Sequence, residues 1–159
     1  MRILILGGTG LISTRITEQL IARGDEVTHV NRGKRAAGFG GRPVSPQVRT
    51  LTADRTNYAE FDAAMQAQQP FDVVIDMVCF SPADAESAVR AFTGRCAQFI
   101  FCSTVDVYAH PHPTGALPYR DDAPHAGLND YARDKVRCEA RCAAQSATCV
   151  RLTPRAVVC

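Results

Sequence analysis

The stretch that decides the fold is Arg2-Ile-Leu-Ile-Leu6, followed at once by Gly7-Gly8-Thr9-Gly10-Leu11-Ile12-Ser13. A short, continuous apolar run that stops at glycines is typical of a buried parallel strand. Gly7 permits the tight turn after the strand, and Gly10 lets the backbone approach a ligand closely. A strand, a glycine turn and a helix in this order predict a binding site for the pyrophosphate of a dinucleotide.

The spacing of the turn is G-x-x-G-x-x-S, so Ser13 stands where a third glycine normally allows close packing of helix against strand. Serine is small, and we expect weaker packing here rather than loss of the site. The helix that opens with Leu11 and Ile12 offers free N–H groups and a partial positive charge to phosphates. A purely structural turn is the alternative, because glycine is common between strands and helices.

Strand-like and helix-like segments alternate along the rest of the chain. Ile12, Ile16 and Leu20 recur at the spacing of one helix face, and Gly24 follows as a left-handed cap. Further strands are predicted at 26–30, 48–52, 71–78, 97–102 and 148–152, and further helices at 58–68, 82–92 and 130–145. Six strands with intervening helices predict a doubly wound parallel α/β sheet of the Rossmann type, in the order 3-2-1-4-5-6, as one domain over 1–159.

Bulk properties exclude several classes of protein. The 159 residues carry a net charge of +2, which does not favour a nucleic-acid partner. The apolar runs are too short for a membrane span, and the N-terminus lacks the apolar core of a secretory leader. We therefore expect a cytoplasmic protein with reduced cysteines and no membrane partner.

Two groups of residues suggest a metal at first sight. Cys138 and Cys142 stand four apart and share a helix face, which leaves a metal or redox role as an alternative to simple packing. His110 and His112 form a His-x-His pair, but a third ligand is not apparent in the sequence. We expect an exposed loop around these histidines and no metal site.

The residues after the second strand bear on the choice of cofactor. An acidic residue there accepts hydrogen bonds from the ribose of NAD, but this chain has Asn31, followed by Arg32, Lys34 and Arg35. These cations favour a 2′-phosphate by charge pairing, so NADP is expected over NAD, with a solvated basic loop as the alternative. Asp54, just after the third strand, is placed to hydrogen-bond the adenine edge.

Tyr131 and Lys135 stand four residues apart on a predicted helix and point the same way. An ammonium nearby is expected to lower the pKa of a phenol, which then takes a proton from a hydroxyl or returns one to a carbonyl. Lys135 is also expected to bind the ribose next to the nicotinamide. A surface tyrosine beside a solvated lysine is the alternative reading of this spacing.

The combination of the glycine turn, Ser103-Thr-Val-Asp-Val-Tyr108 and Tyr131-Ala-Arg-Asp-Lys135 resembles the extended short-chain dehydrogenase/reductase family. This family includes NAD(P)-dependent epimerases, dehydratases and reductases. The opening residues, Asn31-Arg32-Gly33 and Phe71-Asp-Val-Val-Ile-Asp76 are most similar to its subgroup related to chloroplast stem-loop-binding proteins. The similarity extends to about Thr153.

The resemblance implies a catalytic triad and a reaction. The family's catalytic Ser or Thr precedes the Val-Tyr tyrosine by four residues, which gives Thr104, with Ser103 as a second candidate, beside Tyr131 and Lys135. Dehydratases of the family carry Thr-Asp-Glu where this chain has Thr104-Val105-Asp106, so dehydration by that route is disfavoured. The implied reaction is hydride transfer on a sugar nucleotide or a similar hydroxylated small molecule.

The resemblance also implies more chain than is present here. Family members continue beyond the sixth strand into a smaller lobe that grips the substrate, whereas this sequence ends at Cys159. We therefore expect the cofactor half alone, with little turnover by itself. A non-catalytic dinucleotide sensor and, less favoured, an RNA-binding protein are the competing functions. Relatives often pair through two helices, so a homodimer is compatible with the sequence.

Overall fold

The computed structural model describes residues 1–34, 43–108, 127, 129–145 and 149–152. Arg35, His110 and His112 lie outside these ranges, as do residues 36–42 before the third strand and the final seven residues. None of the helices within the described ranges has the length and apolar character that a membrane span requires.

Six strands form one parallel sheet within the described residues. The strands are β1 (Arg2–Leu6), β2 (Glu26–Asn31), β3 (Arg49–Thr52), β4 (Phe71–Asp76), β5 (Cys96–Cys102) and β6 (Cys149–Leu152). Their order is β3-β2-β1-β4-β5-β6, which confirms the predicted doubly wound topology. The order reverses between β1 and β4, and ligands of such sheets bind at the carboxyl ends of the strands beside this point.

The helices lie in the connections between the strands. They are α1 (Leu11–Ala22), α2 (Tyr58–Gln66), α3 (Pro82–Phe92) and α4 (Asp130–Gln145), with a short 3-10 turn at Val105–Val107. Gly24 has a φ of +87°, which confirms the left-handed cap after α1. Ser81 caps α3 as the sequence predicts, because its hydroxyl accepts a hydrogen bond from the Asp84 N–H.

The side chains of β1 alternate between two apolar clusters, one on each face of the sheet. Leu4 and Leu6 belong to the cluster covered by α2, α3 and α4. Ile3 and Ile5 belong to the other cluster, against which Ile16, Leu20 and Ile21 of α1 pack. Cover on both faces explains why β1 is apolar from Ile3 to Leu6.

Two predicted details differ in the structure. Ile12 is 45% exposed, whereas Ile16 and Leu20 pack against the cluster beneath α1. β4 ends at Asp76 and not at Val78. The Asp76 carboxylate accepts a hydrogen bond from the Val78 N–H, which turns the chain out of the strand.

Candidate active site

The turn after β1 leaves no space for a side chain at its first two glycines. Gly7 has a φ of +83°, and its N–H donates to the Val30 carbonyl at 3.0 Å. A Cβ on Gly7 would lie 2.4 Å from Cγ1 of Val78, and one on Gly8 would lie 2.2 Å from the ring of His29. The backbone therefore forms the turn alone, as predicted for Gly7.

Ser13 ties this turn together. Its hydroxyl accepts from the Gly10 N–H at 2.9 Å and donates to the Gly7 carbonyl, also at 2.9 Å. The side chain is buried. The weaker packing predicted from the missing third glycine is therefore replaced by a hydrogen-bonded link between helix and turn. The N–H groups of Leu11 and Ile12 have no carbonyl four residues earlier within the helix, so they stay available at the helix end.

The ring of His29 packs against Gly8 of the turn, a contact that the sequence analysis did not predict. Thr17 donates its hydroxyl to the Ser13 carbonyl at 2.8 Å, so it accepts from Nε2 of His29, also at 2.8 Å. Nδ1 of His29 is buried without a partner among the described residues. Burial lowers the pKa of His29 to about 4, so the ring is neutral at pH 7. A histidine inside a predicted strand was the available signal.

A pocket of about 590 Å³ opens at the carboxyl ends of β1 to β4. This volume lies within the range of small-molecule sites. We call it the glycine-turn pocket, and seven of the eight predicted cofactor residues line it: Gly7, Gly10, Leu11, Ile12, Asn31, Arg32 and Asp54. Lys34 lines it as well. Lys135, the eighth, is not among its lining residues.

Charged groups face one another on the β2 and β3 side of the pocket. Oδ1 of Asp54 accepts from the Thr56 hydroxyl at 2.7 Å and from the Thr56 N–H at 2.9 Å. These bonds hold the pKa of Asp54 below its usual value, and the charges of Arg32 and Lys34 add to the effect. The carboxylate predicted to meet an adenine edge is thus ionised and fixed by its neighbour.

A buried ion cluster underlies the pocket and has no counterpart in the sequence analysis. Nη1 of Arg55 lies 2.7 Å from Oδ2 of Asp76, and Nη2 donates to the Asp84 carbonyl at 2.8 Å. All three side chains are buried. Burial by itself lowers the pKa of Arg55, but the two carboxylates more than offset it and the pKa is raised. The cluster joins the end of β3 to the end of β4 and the start of α3.

Asp84 extends this cluster to the wall between β4 and α3. Its Oδ2 accepts from the N–H groups of Phe80 and Ser81, at 3.0 and 2.9 Å. The backbone of that wall is therefore fixed by a buried carboxylate that Arg55 in turn neutralises. Arg55 and Asp84 both line the pocket.

The three predicted catalytic residues, which we call the tyrosine cluster, come together beyond β5. Thr104 begins the 3-10 turn, and its hydroxyl hydrogen-bonds that of Tyr131. Burial raises the pKa of Tyr131, the Thr104 bond lowers it, and Asp106 raises it further, with a net rise. This direction is opposite to the lowering expected from Lys135.

Lys135 is turned into the protein, which explains the difference. Its Nζ donates to the Cys102 carbonyl at 2.8 Å, and the side chain is 2% exposed. Nζ lies 5.8 Å from the centre of the Tyr131 ring and on its face, so the ammonium faces the ring rather than the hydroxyl. Ser103, the second candidate, is buried and hydrogen-bonds Glu139 of α4, away from Tyr131.

The cysteines behind the tyrosine cluster belong to the core. Cys138 and Cys142 are both buried, and the Cys138 thiol hydrogen-bonds that of Cys79. All three are free thiols. Within the described part of the chain, no group of three or more His, Cys, Asp or Glu side chains is arranged to hold a metal.

Comparisons with known proteins agree with this fold. The sequence model of the NAD-dependent epimerase/dehydratase family matches residues 3–154. The chain is 27% identical over 140 residues to the 2′-dehydrokanamycin reductase of Streptomyces kanamyceticus, a match that covers 87% of this chain and 37% of that protein. It is 30% identical over 115 residues to the chloroplast stem-loop binding protein of 41 kDa b from Arabidopsis thaliana, which covers 67% of this chain and 30% of that protein.

Solved structures show the same architecture at lower identity. The Bordetella bronchiseptica enzyme WbmH in complex with NAD⁺ superimposes with a TM-score of 0.76 at 20% identity, over 96% of this chain and 55% of that one. The UDP-glucose 4-epimerase of Brucella ovis in complex with NAD gives 0.75 at 20% identity, over 96% and 51%. The chain thus spans about half of these structures and less than half of the relatives above.

The match over residues 3–154 covers the glycine turn, the sheet and the tyrosine cluster together. The chain therefore belongs to the NAD-dependent epimerase/dehydratase family.

Proposed function

We propose that this chain binds NADP in the glycine-turn pocket and forms the cofactor half of an oxidoreductase or epimerase. The observation that carries the proposal is the pocket itself, which gathers the glycine turn, the end of β2 and Asp54 at the reversal of strand order. The residues fit such a group, because the turn offers bare backbone and a helix N-terminus for phosphates. WbmH and the Brucella ovis epimerase were crystallised with NAD in this fold.

The preference for NADP rests on Arg32 and Lys34. Both line the pocket beside Asn31, where a carboxylate would repel a 2′-phosphate. Two cations attract it instead and offer charge-assisted hydrogen bonds. Their influence on Asp54 shows that their charges reach this side of the pocket.

The tyrosine cluster would carry the proton chemistry. When bound, a nicotinamide cofactor supplies or accepts a hydride. Tyr131 is 44% exposed, so its hydroxyl can meet a substrate hydroxyl or carbonyl and exchange a proton with it. Thr104, already bonded to Tyr131, would hold the same oxygen. Lys135 would bind the nicotinamide ribose once its ammonium turns toward the pocket.

The substrate class is a sugar nucleotide or a similar hydroxylated small molecule. Support comes from relatives whose names specify a UDP-glucose 4-epimerase and a 2′-dehydrokanamycin reductase. Both names specify a carbohydrate substrate, and proton and hydride transfer act together on such hydroxylated molecules. A homodimer stays a prediction.

A dinucleotide sensor without catalysis is the second candidate, and the tyrosine cluster itself favours it. The pKa of Tyr131 is raised, and Lys135 is turned away from the glycine-turn pocket. Binding in this case would leave the proton-transfer groups unused.

Substitution of Tyr131 separates the two candidates. Cofactor reduction with UDP-sugars and aminoglycosides should fall by about 10²- to 10⁴-fold in Tyr131→Phe, because the group that accepts the proton of the substrate hydroxyl is lost, while cofactor affinity is kept. Tyr58→Phe, the same change in α2, is the matched control; it removes one hydrogen bond to Asp84 at 3.3 Å and should retain most of the activity. Tight cofactor binding by the wild type without turnover of any substrate would support the sensor.

A further inference from the structure

The ammonium of Lys135 is held in an aromatic cage. Its Nζ lies 4.9 Å from the ring centres of Phe80 and Phe101 and 5.8 Å from that of Tyr131. Within the described residues, Lys135 makes no ion pair, and its hydrogen bond goes to the Cys102 carbonyl. The negative faces of the rings stabilise a cation that is otherwise removed from water.

Phe80 is the ring of this cage that also lines the glycine-turn pocket. Phe101 is buried on β5, and Tyr131 lies on the same helix as the lysine. The Phe80 ring both contacts the ammonium and lines the pocket, and the residue is 51% exposed. Its backbone is fixed, because the Phe80 N–H donates to Asp84. Movement is therefore confined to the side chain.

We propose that Phe80 is a positioning residue that caps Lys135 until a dinucleotide enters the pocket. The inference rests on the proposed function, in which Lys135 must reach the nicotinamide ribose. Reaching it requires the Phe80 ring to leave the ammonium. The loss of this cation–ring contact lowers the affinity for the dinucleotide. Binding of the adenosine half on the β2 and β3 side makes no such demand, since Lys135 is not among the residues that line the pocket.

Two substitutions change the cap in opposite directions. Phe80→Leu keeps an apolar side chain but removes the ring face, so the full dinucleotide should bind about threefold to tenfold more tightly. Phe80→Trp offers a stronger cation-binding face and should weaken binding. Both changes are at a half-exposed position, and urea unfolding would confirm that the variants fold. The sequence contains no tryptophan, so the new residue is also a unique fluorescent reporter of the ring's surroundings.

The adenosine half of the cofactor is the internal control. NADP⁺ and 2′,5′-ADP would be titrated by calorimetry into the wild type and both variants. The expected result is a change for NADP⁺ in the order Leu, Phe, Trp from tightest to weakest, with 2′,5′-ADP unchanged. In a Lys135→Met background the gain from Phe80→Leu should disappear, because no cation remains to be released.

Every other outcome contradicts either the capping role of Phe80 or the proposed binding of a dinucleotide on which it rests. Equal changes for both probes, or no gain for NADP⁺ in Phe80→Leu, would show that Phe80 is ordinary pocket wall. Persistence of the gain without Lys135 would do the same. A wild-type protein that binds neither probe would refute the proposed function, and the cap with it.

Discussion

The glycine-turn pocket and the tyrosine cluster lie at the same edge of the sheet but are built differently. The pocket is formed by backbone that buried groups hold in place, such as Ser13 across the turn and Arg55 beneath it. The tyrosine cluster consists of side chains from the turn after β5 and from α4, and their present contacts oppose its chemistry. Tyr131 has a raised pKa, and Lys135 is capped.

The difference indicates a division of labour within the fold. The binding half is ready before its ligand arrives, which avoids the cost of ordering it on binding. The reacting half needs the charge and the contacts of a bound cofactor and substrate to reach its working arrangement. The predictions below test the preformed half, from the largest expected effect to the smallest.

Removal of the Arg55 cation beneath the pocket should lower the free energy of unfolding more than any of the following changes. Arg55→Met leaves Asp76 and Asp84 buried without their partner and should cost about 3–5 kcal/mol of unfolding free energy. Arg90→Met breaks a half-exposed pair with Asp62 and should cost less than about 1 kcal/mol. Urea unfolding measures both. Similar losses in the two variants would show that the buried cluster does not support the pocket.

His29 makes the stability of the pocket half depend on pH. Its pKa is about 4 in the folded chain against 6.5 when unfolded, so between these values the unfolded chain takes up a proton that the native chain does not. Stability should therefore fall as the pH drops from about 6.5 to 4, by up to about 3 kcal/mol from this group.

His29→Gln isolates this contribution, because glutamine can still donate to Thr17 but does not titrate. The difference in unfolding free energy between wild type and variant should vary with pH in this window and be flat above it. A difference that stays constant from pH 7 to pH 4 would contradict a buried neutral histidine.

The conformation at Gly7 should matter more than that at another glycine of similar φ. Gly7→Ala combines a left-handed backbone with a Cβ 2.4 Å from Val78. It should lower the unfolding free energy by about 1–3 kcal/mol and should also weaken cofactor binding. Gly24→Ala has a φ of +87° but nothing within 4 Å, and should cost about 1 kcal/mol without changing affinity. Urea unfolding and NADP⁺ titration of both variants would test this. Equal losses of stability and affinity in the two variants would contradict the prediction.

The smallest effect concerns the choice of cofactor. Arg32→Ala should weaken NADP⁺ binding about tenfold and leave NAD⁺ nearly unchanged, because one charge-assisted contact to the 2′-phosphate is lost. Arg49→Ala removes a cation of β3 that bonds Gln68 outside the pocket and should change neither. An equal loss for both dinucleotides in Arg32→Ala would contradict the assignment of the 2′-phosphate to this side.

The fold was predictable because it rests on local patterns. β1 is apolar from Ile3 to Leu6 since both its faces are covered there, and the Ser81-Pro82 start of α3 is a local capping signal. The sheet order follows from the handedness of successive crossovers. The roles of Gly7 and Gly10 could also be predicted, because a strand, a glycine turn and a helix follow one another in the sequence. The structure leaves no space for a Cβ at Gly7.

The missed features depend on contacts between distant parts of the chain. Arg55 acts through Asp84 of α3, and His29 acts through Thr17 and the space above Gly8. The partners of the Lys135 ammonium were missed for the same reason. Its spacing from Tyr131 predicts a shared helix face but does not reveal its contacts with Phe80 and Cys102. Short-range periodicity carries no information on such partners.

Calorimetric titration of the purified protein with NADP⁺ and NAD⁺, in wild type and Gly7→Ala, is the most direct test of a preformed cofactor pocket. We predict that the wild type binds both dinucleotides, NADP⁺ more tightly, and that the substitution greatly weakens both. A wild-type chain with no affinity for either, or a variant that binds as well as the wild type, would contradict it.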